Sequence, residues 1–296
     1  MNNFAIVSDS CCDLDKGMRE EYGIDYVPMY VSASGGSAPA SLDWEKYSAK
    51  EFYDYMRAGE RVFTSQATAE DYTECFSRYL EQGRDVLSIS CSSALSASVK
   101  ASFVARDELS KKYPGAKIIC IDSLISSGGM ALLCMLASRL RAEGRSIEET
   151  AREVESAKMY IHQFGTVDEL KYLKMSGRIS ASKALFGTLL SVKPVIISNK
   201  EGENVSVAKA KGRIKAIRAL ADGVKENYTG SVIPEIFITH ADCAEDADRL
   251  KDYITEDLPG SKIHIGFLNP IVGASCGPKM LAVYFSGKEK PDTADM

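Results

Sequence analysis

Residues 85–98 read DVLSISCSSALSAS, and this stretch decides the fold class of the chain. An apolar run of β type, Val86–Ile89, ends in a cluster of small hydroxyl residues and passes into a helical apolar pattern at Ser96. Strands that deliver a short turn to the start of a helix are typical of α/β proteins. Such a turn also predicts an anion site, because the free N–H groups and the positive dipole end of the helix favour a negative group.

The same pattern occurs at three other places in the first half of the chain. These are SDSCCDL after FAIV, at residues 8–14; TSQAT, at residues 64–68; and DSLISSGG after KIICI, at residues 122–129. Hydroxyl residues rather than lysine or arginine occupy these turns. We therefore expect a ligand with one modest anionic group, such as a carboxylate, because several neutral donors can together satisfy it.

Alternation of strand and helix predicts a parallel sheet with helices on both faces, which is a three-layer α/β domain over residues 1–157. The predicted strands are Phe4–Val7, Asp25–Val31, Val86–Ile89 and Lys117–Ile121. The predicted helices are Trp44–Met56, Thr68–Glu81, Ser96–Tyr113 and Gly128–Glu143.

The pattern changes near residue 157, and residues 158–296 predict a second α/β domain with a mixed or antiparallel sheet. Several of its strand candidates alternate between apolar and polar residues, as strands with one solvated face do. These candidates are Tyr160–Thr166, Lys193–Ser198, Asn204–Ala210, Glu235–Thr239 and Lys262–Asn269. No linker composition marks the boundary, so we expect an extensive interface between the two domains.

Composition excludes several classes of function. The net charge of −5 disfavours a nucleic-acid surface, which needs clustered cations to displace counterions from phosphates. None of the eight cysteines forms a CxxC pair, and phosphate loops of the Walker or GxGxxG kind are absent, so we expect neither a metal nor a cofactor. No apolar run approaches about 18 residues, so stable membrane insertion is not expected. Free thiols in a reducing cytoplasm are the simplest interpretation.

Eight motifs in order, from Ala5 to Phe285, resemble the DegV family, the fatty-acid-binding proteins of bacterial fatty acid kinase. They are AIVSDSCCDL, FTSQAT, ISCSSALSAS, IDSLISSGGMAL, VDELKYLKMSGRISAS, LLSVKPVI, AKGRIKAI and PIVGASCGPKMLAVYF. The resemblance implies a two-domain carrier that binds a long-chain fatty acid. It also implies that the carrier presents the carboxylate to an ATP-binding kinase subunit, which forms the acyl phosphate. The carrier itself would not be an enzyme.

The resemblance also implies which residues hold the carboxylate. Thr64 matches the Thr of the family's TSQ motif, Ser93 matches a Ser of the next motif, and Ser96 follows closely. The family's HTGPG motif reads SCGP here, which places Ser275 where the family has His and Cys276 where it has Thr. A hydroxyl can donate a hydrogen bond but cannot carry the positive charge of an imidazolium.

Simpler interpretations of these residues stay open. A Ser at the start of a helix is often only an N-cap, which applies to Ser8, Ser10, Ser96 and Ser123. Asp9 and Asp122 are expected to accept backbone N–H groups rather than to act as acids. Two other functions also stay open, a carrier of another small anionic ligand and a stand-alone hydrolase or transferase that uses Ser93 or Cys276. No GxSxG elbow or general base supports the second.

Basic residues cluster in KMSGRISASK and AKAKGRIKAIR. The cluster is either a solvated face or a docking surface for the kinase subunit. In the family the GRIS region lies beside the pocket mouth, so the resemblance makes Arg178 the first candidate for a partner contact and Arg213 the second.

Overall fold

The computed structural model describes residues 4–33, 35–179 and 192–290. The strands of the first half are β1 (Phe4–Asp9), β2 (Ile24–Val27), β3 (Tyr30–Ala33), β4 (Gly36–Pro39), β5 (Phe63–Ser65), β6 (Asp85–Ser90) and β7 (Ile118–Asp122). Four of them form one parallel sheet in the order β2-β1-β6-β7. The other three form a small antiparallel sheet in the order β4-β3-β5.

Helices cover both faces of the parallel sheet. The helices of the first half are α1 (Lys16–Tyr22), α2 (Ala49–Arg57), α3 (Ala69–Leu80), α4 (Ser98–Lys112), α5 (Gly128–Ala142) and α6 (Ile147–Ala157). Helices α3 and α4 pack together over β6 and β7, while α5 and α6 pack together against the same strands from the other side. Capping boxes start α2, α3 and α6, where a Ser or Thr and an acidic residue three positions later satisfy each other's backbone N–H groups.

The second half forms a six-stranded mixed sheet. Its elements are β8 (Ile161–Thr166), α7 (Leu170–Ser176), β9 (Val192–Ser198), β10 (Asn204–Lys211), α8 (Arg213–Asn227), β11 (Glu235–His240), α9 (Ala244–Asp257), β12 (Lys262–Phe267), α10 (Pro270–Cys276) and β13 (Leu281–Ser286). The strand order is β10-β9-β8-β13-β11-β12, and only β11 and β12 are parallel neighbours.

Helix α5 lies between the two large sheets. It contacts β1 and β6 of the parallel sheet as well as β8, β11 and β13 of the mixed sheet. Close approach needs small residues, and a Cβ added at Gly128 would lie 2.6 Å from the Tyr284 ring. The residues of α5 from Gly128 to Met135 are all buried, so this helix is a layer common to both sheets.

The structure confirms the predicted fold class, with a parallel sheet first and a mixed sheet second. Two local predictions are wrong, and one strand was missed. The predicted strand Asp25–Val31 is two strands, because Pro28 cannot donate to a ladder and the chain changes sheet there. The predicted helix from Trp44 starts only at Ala49, since Trp44 has a left-handed φ of 54°. Strand β13 was not predicted, although it lies near the centre of its sheet. The domain boundary near residue 157 stays a prediction.

Candidate functional site

A cavity lies at the carboxyl ends of β1 and β6, between which the strand order reverses. Open α/β sheets bind ligands at such a reversal, because the turns from the two strands diverge and leave a crevice. The two oxygens of the buried Asp9 carboxylate accept the N–H groups of Cys11 and Cys91, each at 2.9 Å. Burial raises the pKa of Asp9 to about 6. One side chain thus fixes both turns.

The cavity has a volume of about 280 Å³ and divides into a buried floor and a more open rim. We define the floor as the six lining residues that are fully buried. They are Cys11, Met29, Cys91, Ser126, Ile271 and Cys276. Five of these six carry apolar or sulfur-containing side chains, so the floor suits an aliphatic group.

Seven polar lining residues are half-buried or exposed, and Ser65, Gln66 and Asn204 are three of them. We define the rim by the four that were also predicted from the sequence, namely Thr64, Ser96, Arg178 and Ser275. Among the described residues, nothing pairs with the Thr64 hydroxyl, and the Ser275 hydroxyl donates to the Ile271 carbonyl at 3.3 Å. The Arg178 guanidinium donates to the Leu95 carbonyl at 3.4 Å. Neutral hydroxyls beside one guanidinium are the donors that a partly solvated carboxylate needs.

A buried polar network holds α10, which forms one wall of the cavity. Asn269 is the N-cap of α10, and its side-chain oxygen accepts the Val272 N–H at 2.9 Å. Its amide nitrogen donates to the Asp13 carboxylate at 2.6 Å and to the Cys11 carbonyl at 3.0 Å. Ser127 donates to the same carboxylate, whose pKa burial raises to about 6. The network joins the turn after β1 to the helix that carries Ser275.

The structure brings five of the predicted site residues to this cavity and leaves two outside it. Thr64, Ser96, Ser275, Cys276 and Arg178 line it. Ser93 is exposed outside the cavity, and its N–H donates to the Asp122 carboxylate at 3.1 Å.

Arg213 also lies elsewhere. Its Nε donates to Asp246 at 2.9 Å, and only 17 % of its side chain is exposed. This ion pair lies where α8 and α9 pack together, and within the described ranges the buried Arg213 Nη1 has no hydrogen-bond partner. Arg178, in contrast, is exposed at the cavity. Arg178 lines the cavity and Arg213 does not, and the role of each as a partner contact stays a prediction.

The surroundings of Cys276 do not suit a nucleophile. The thiol is buried, and burial raises its pKa to about 12. None of the three histidines, all of which the structure describes, lines the cavity. A thiol without a nearby base stays protonated at neutral pH, so it is a poor nucleophile.

The N-cap interpretation of four serines is wrong. The N-cap residues of α1, α4 and α5 are Asp15, Ala97 and Ser127. The serines instead tie turns together, as the Ser10 hydroxyl does when it accepts the Met29 N–H at 2.6 Å. The expectation that Asp9 and Asp122 accept backbone N–H groups is confirmed.

Sequence reasoning missed Ser126, Met29 and Asn204, which also line the cavity. Ser126 lies in the turn DSLISSGG, so its signal was present but did not separate it from its neighbours. Asn204 donates to the Arg178 carbonyl at 3.1 Å and accepts from Gln163 at 2.9 Å. Its contact with Arg178 joins β10 to the turn after α7, and no local pattern reveals a pairing of that kind.

A second, smaller cleft of about 210 Å³ adjoins the cavity and shares Thr64, Arg178 and Ser275 with it. Two exposed apolar side chains, Phe63 and Met175, lie along this cleft. The rim therefore opens onto a surface that combines apolar side chains with the Arg178 guanidinium.

Within the described ranges, no group of three or more His, Cys, Asp or Glu side chains has an arrangement that could hold a metal ion. None of the described helices is long and apolar enough to cross a bilayer. All eight cysteines are free thiols.

Fold and cavity together define an α/β protein with a parallel and a mixed sheet and a candidate ligand site at the strand reversal of the parallel sheet. A sequence model of the DegV family, described as uncharacterised proteins, matches residues 3–288. The DegV domain-containing protein CPE0026 of Clostridium perfringens is 36 % identical over 290 residues, which cover 98 % of this chain and 99 % of that protein. The chain belongs to the DegV family.

Solved structures of DegV proteins share this fold. A DegV family protein from Thermus thermophilus, described by its fatty acid binding, is 26 % identical with a TM-score of 0.84. The match covers 97 % of this chain and 100 % of the Thermus thermophilus chain. DegV of Bacillus subtilis, described as a fatty acid binding protein, is 25 % identical with a TM-score of 0.83. The match covers 97 % of this chain and 100 % of the Bacillus subtilis chain.

Proposed function

We propose that this protein binds a long-chain fatty acid, with the aliphatic chain over the floor and the carboxylate at the rim. The observation that carries the proposal is the division of one cavity into a floor of mostly apolar residues and a rim of hydroxyls with one guanidinium. The fatty acid binding described for two DegV relatives supports it.

The two parts of the ligand contribute differently to binding. Each buried methylene contributes roughly 0.8 kcal/mol, so a chain of about sixteen carbons has a gross driving force on the order of 12 kcal/mol before ordering costs. The carboxylate contributes orientation more than affinity, because a charged group loses much of its hydration on binding. Rim donors that replace water then decide which head group is accepted.

We further propose that the protein hands this carboxylate to the ATP-binding subunit of a fatty acid kinase, which converts it to an acyl phosphate. The family resemblance suggests the step, and the exposed Arg178 at the rim supports it, since an incoming subunit could contact this side chain. The protein would contribute no catalytic group, because its rim holds hydroxyls without a general base. We place this role in the cytoplasm, with residues 1–157 and 158–296 as the two domains.

Native mass spectrometry of the purified protein tests the first proposal. We expect bound aliphatic carboxylic acid, or uptake of added C14 to C18 acids with a raised melting temperature. A protein that takes up none of these acids, and gains no stability from them, contradicts the proposal. Uptake of a different small anion would support the alternative carrier function.

The handover is tested with Arg178→Ala in an assay of acyl phosphate formation with the cognate kinase subunit. Lys171→Ala is the control, since Lys171 lies nearby on α7 and is exposed. We expect acyl phosphate formation to fall at least about tenfold with Arg178→Ala, because contacts at an interface rim govern encounter. Fatty acid affinity should fall only about threefold, because Arg178 is one of several rim donors, so acyl phosphate formation is measured at saturating fatty acid. Equal losses in both assays would mean that Arg178 acts on the carboxylate alone and not on a partner.

A further inference from the structure

Ser126 is the only floor residue with a hydroxyl, and that hydroxyl is unpaired within the described chain. The residue is 4 % exposed and lines the cavity among thiols, a thioether and an isoleucine. The neighbouring serines of the same turn are bonded, since Ser123 donates to the Ile125 carbonyl at 2.9 Å and Ser127 donates to Asp13. The Ser126 oxygen is open to the cavity rather than enclosed by protein, so the cavity contents are expected to supply its partner.

The turn that carries Ser126 is held in place. Leu124 and Ser127 both have left-handed backbone angles, with φ of 51° and 59°. Strained residues of this kind persist only where the surroundings fix them. Here the Ser127 N–H donates to the Cys11 carbonyl at 2.7 Å, and Gly128 packs closely on Tyr284. The Ser126 side chain is therefore presented to the cavity by a rigid support.

The position of Ser126 decides which part of the ligand it meets. The available donors for a carboxylate are at the rim, where Arg178 is exposed and Thr64 is half-buried. A carboxylate at the rim directs the chain across the floor, so Ser126 faces the chain rather than the head group. An unsubstituted methylene can neither donate nor accept a hydrogen bond.

We propose that the cavity selects a fatty acid with a hydroxyl group on its chain, at the carbon that passes Ser126. This inference rests on the proposed fatty acid binding. A serine hydroxyl both donates and accepts, and so does a secondary alcohol on the chain. The pair satisfies both groups inside the cavity, whereas an unsubstituted chain leaves the Ser126 hydroxyl unpaired.

The experiment compares octadecanoic acid with hydroxyoctadecanoic acids in which the hydroxyl group is moved along the chain. Affinities are measured for wild type, for Ser126→Ala and for the control Ser65→Ala, which removes an exposed lining hydroxyl. We expect wild type to bind one positional isomer about three- to tenfold more tightly than the unsubstituted acid. Ser65→Ala should keep this preference. Ser126→Ala should lose it and bind the unsubstituted acid at least as well as wild type does.

The outcomes separate the inference from the function on which it rests. Equal affinity of wild type for all the acids would mean that water satisfies Ser126, and the inference would be overturned while fatty acid binding stands. A preference that survives in a folded Ser126→Ala protein would show that another group reads the hydroxyl, which also overturns it. Binding of none of the acids by wild type would instead contradict the proposed function. Melting temperatures establish that each variant is folded.

Discussion

The floor and the rim of the cavity are adjacent in sequence but differ in polarity and in exposure to solvent. Ser275 and Cys276 follow each other on α10, yet the first is half-buried at the rim and the second is fully buried in the floor. The rim keeps polar groups available to a ligand, and the floor, apart from Ser126, offers none. Affinity and orientation are therefore assigned to different layers of one small site, and each layer can be perturbed alone.

The largest effect is expected from blocking the passage between the layers. Ala97 is a half-buried lining residue, so Ala97→Phe places a ring in the cavity. We expect fatty acid affinity to fall at least about a hundredfold, since the ring displaces ligand methylenes. Lys100→Phe adds the same ring to the exposed side of α4 and should leave affinity unchanged. Wild-type affinity in a folded Ala97→Phe protein would place the ligand elsewhere.

Helix α10 carries residues of both the floor and the rim, and its N-cap, Asn269, offers a test of its stability. Asn269→Ala removes the N-cap of α10 and leaves the buried Asp13 carboxylate without one of its donors. We expect a loss of about 2–4 kcal/mol in the free energy of unfolding. Ser48→Ala removes the N-cap of α2 at an exposed site and should lose about 1 kcal/mol. Similar losses in urea denaturation would indicate that the buried network contributes nothing beyond capping.

The buried carboxyl group of Asp13, which is bonded to the N-cap of α10, predicts an unusual dependence of stability on pH. Burial raises the pKa of Asp13 from 3.8 to about 6, so the folded state binds this proton more tightly than the unfolded state does. The contribution of Asp13 to stability therefore falls as pH rises from about 4 to about 6.

The comparison of wild type with Asp13→Asn isolates this contribution. As pH rises from about 4 to about 6, the free energy of unfolding of wild type should fall relative to that of Asp13→Asn by on the order of 2–3 kcal/mol. Denaturation at several pH values measures it. A difference that stays constant, or that favours wild type as pH rises, would contradict the raised pKa.

At the rim, Thr64→Val removes a donor while nearly keeping the shape of the side chain. We expect fatty acid affinity to fall by about 1–2 kcal/mol, because a carboxylate oxygen loses a neutral hydrogen bond. Ser93→Ala is the matched comparison, since the family resemblance implied that both residues bind the carboxylate and the structure leaves Ser93 outside the cavity. Equal losses in the two variants would show that the head group extends beyond the rim described here.

The last prediction is that fatty acid affinity does not depend on the titration of a histidine. With Ser275 in place of the family's His, no imidazole lines the cavity, and burial lowers the pKa of His240. Fatty acid affinity, corrected for the ionisation of the ligand, should show no step near pH 6.5. Isothermal titration between pH 5.5 and 8 measures it. A step that disappears in a His240→Gln variant would mean that this histidine acts on the head group.

The features that the sequence predicted depend on neighbouring residues, and those that it missed depend on contacts between residues distant in sequence. The turns after β1, β6 and β7 were found because strand, hydroxyls and helix start are local patterns, and Thr64 and Ser275 were found by resemblance. The separation of Ser126 from Ser123 and Ser127 depends on which carbonyl or carboxylate each hydroxyl reaches. The position of Arg213 depends on an ion pair with Asp246, 33 residues away. Contacts of that kind leave no periodic signal.

Strand β13 was missed although LAVYFS is a local apolar run. Its position in the sheet determines when the mixed sheet can be completed during synthesis. The parallel sheet has all its strands once Asp122 has been made, so it can form early on the ribosome. The mixed sheet cannot, because β13 separates β8 from β11 and is the last of its strands to be made. Until then α5 has only one of its two sheets to pack against, and its other side is exposed to water. A nascent chain of this protein is thus expected to depend on chaperones most while its second half is emerging.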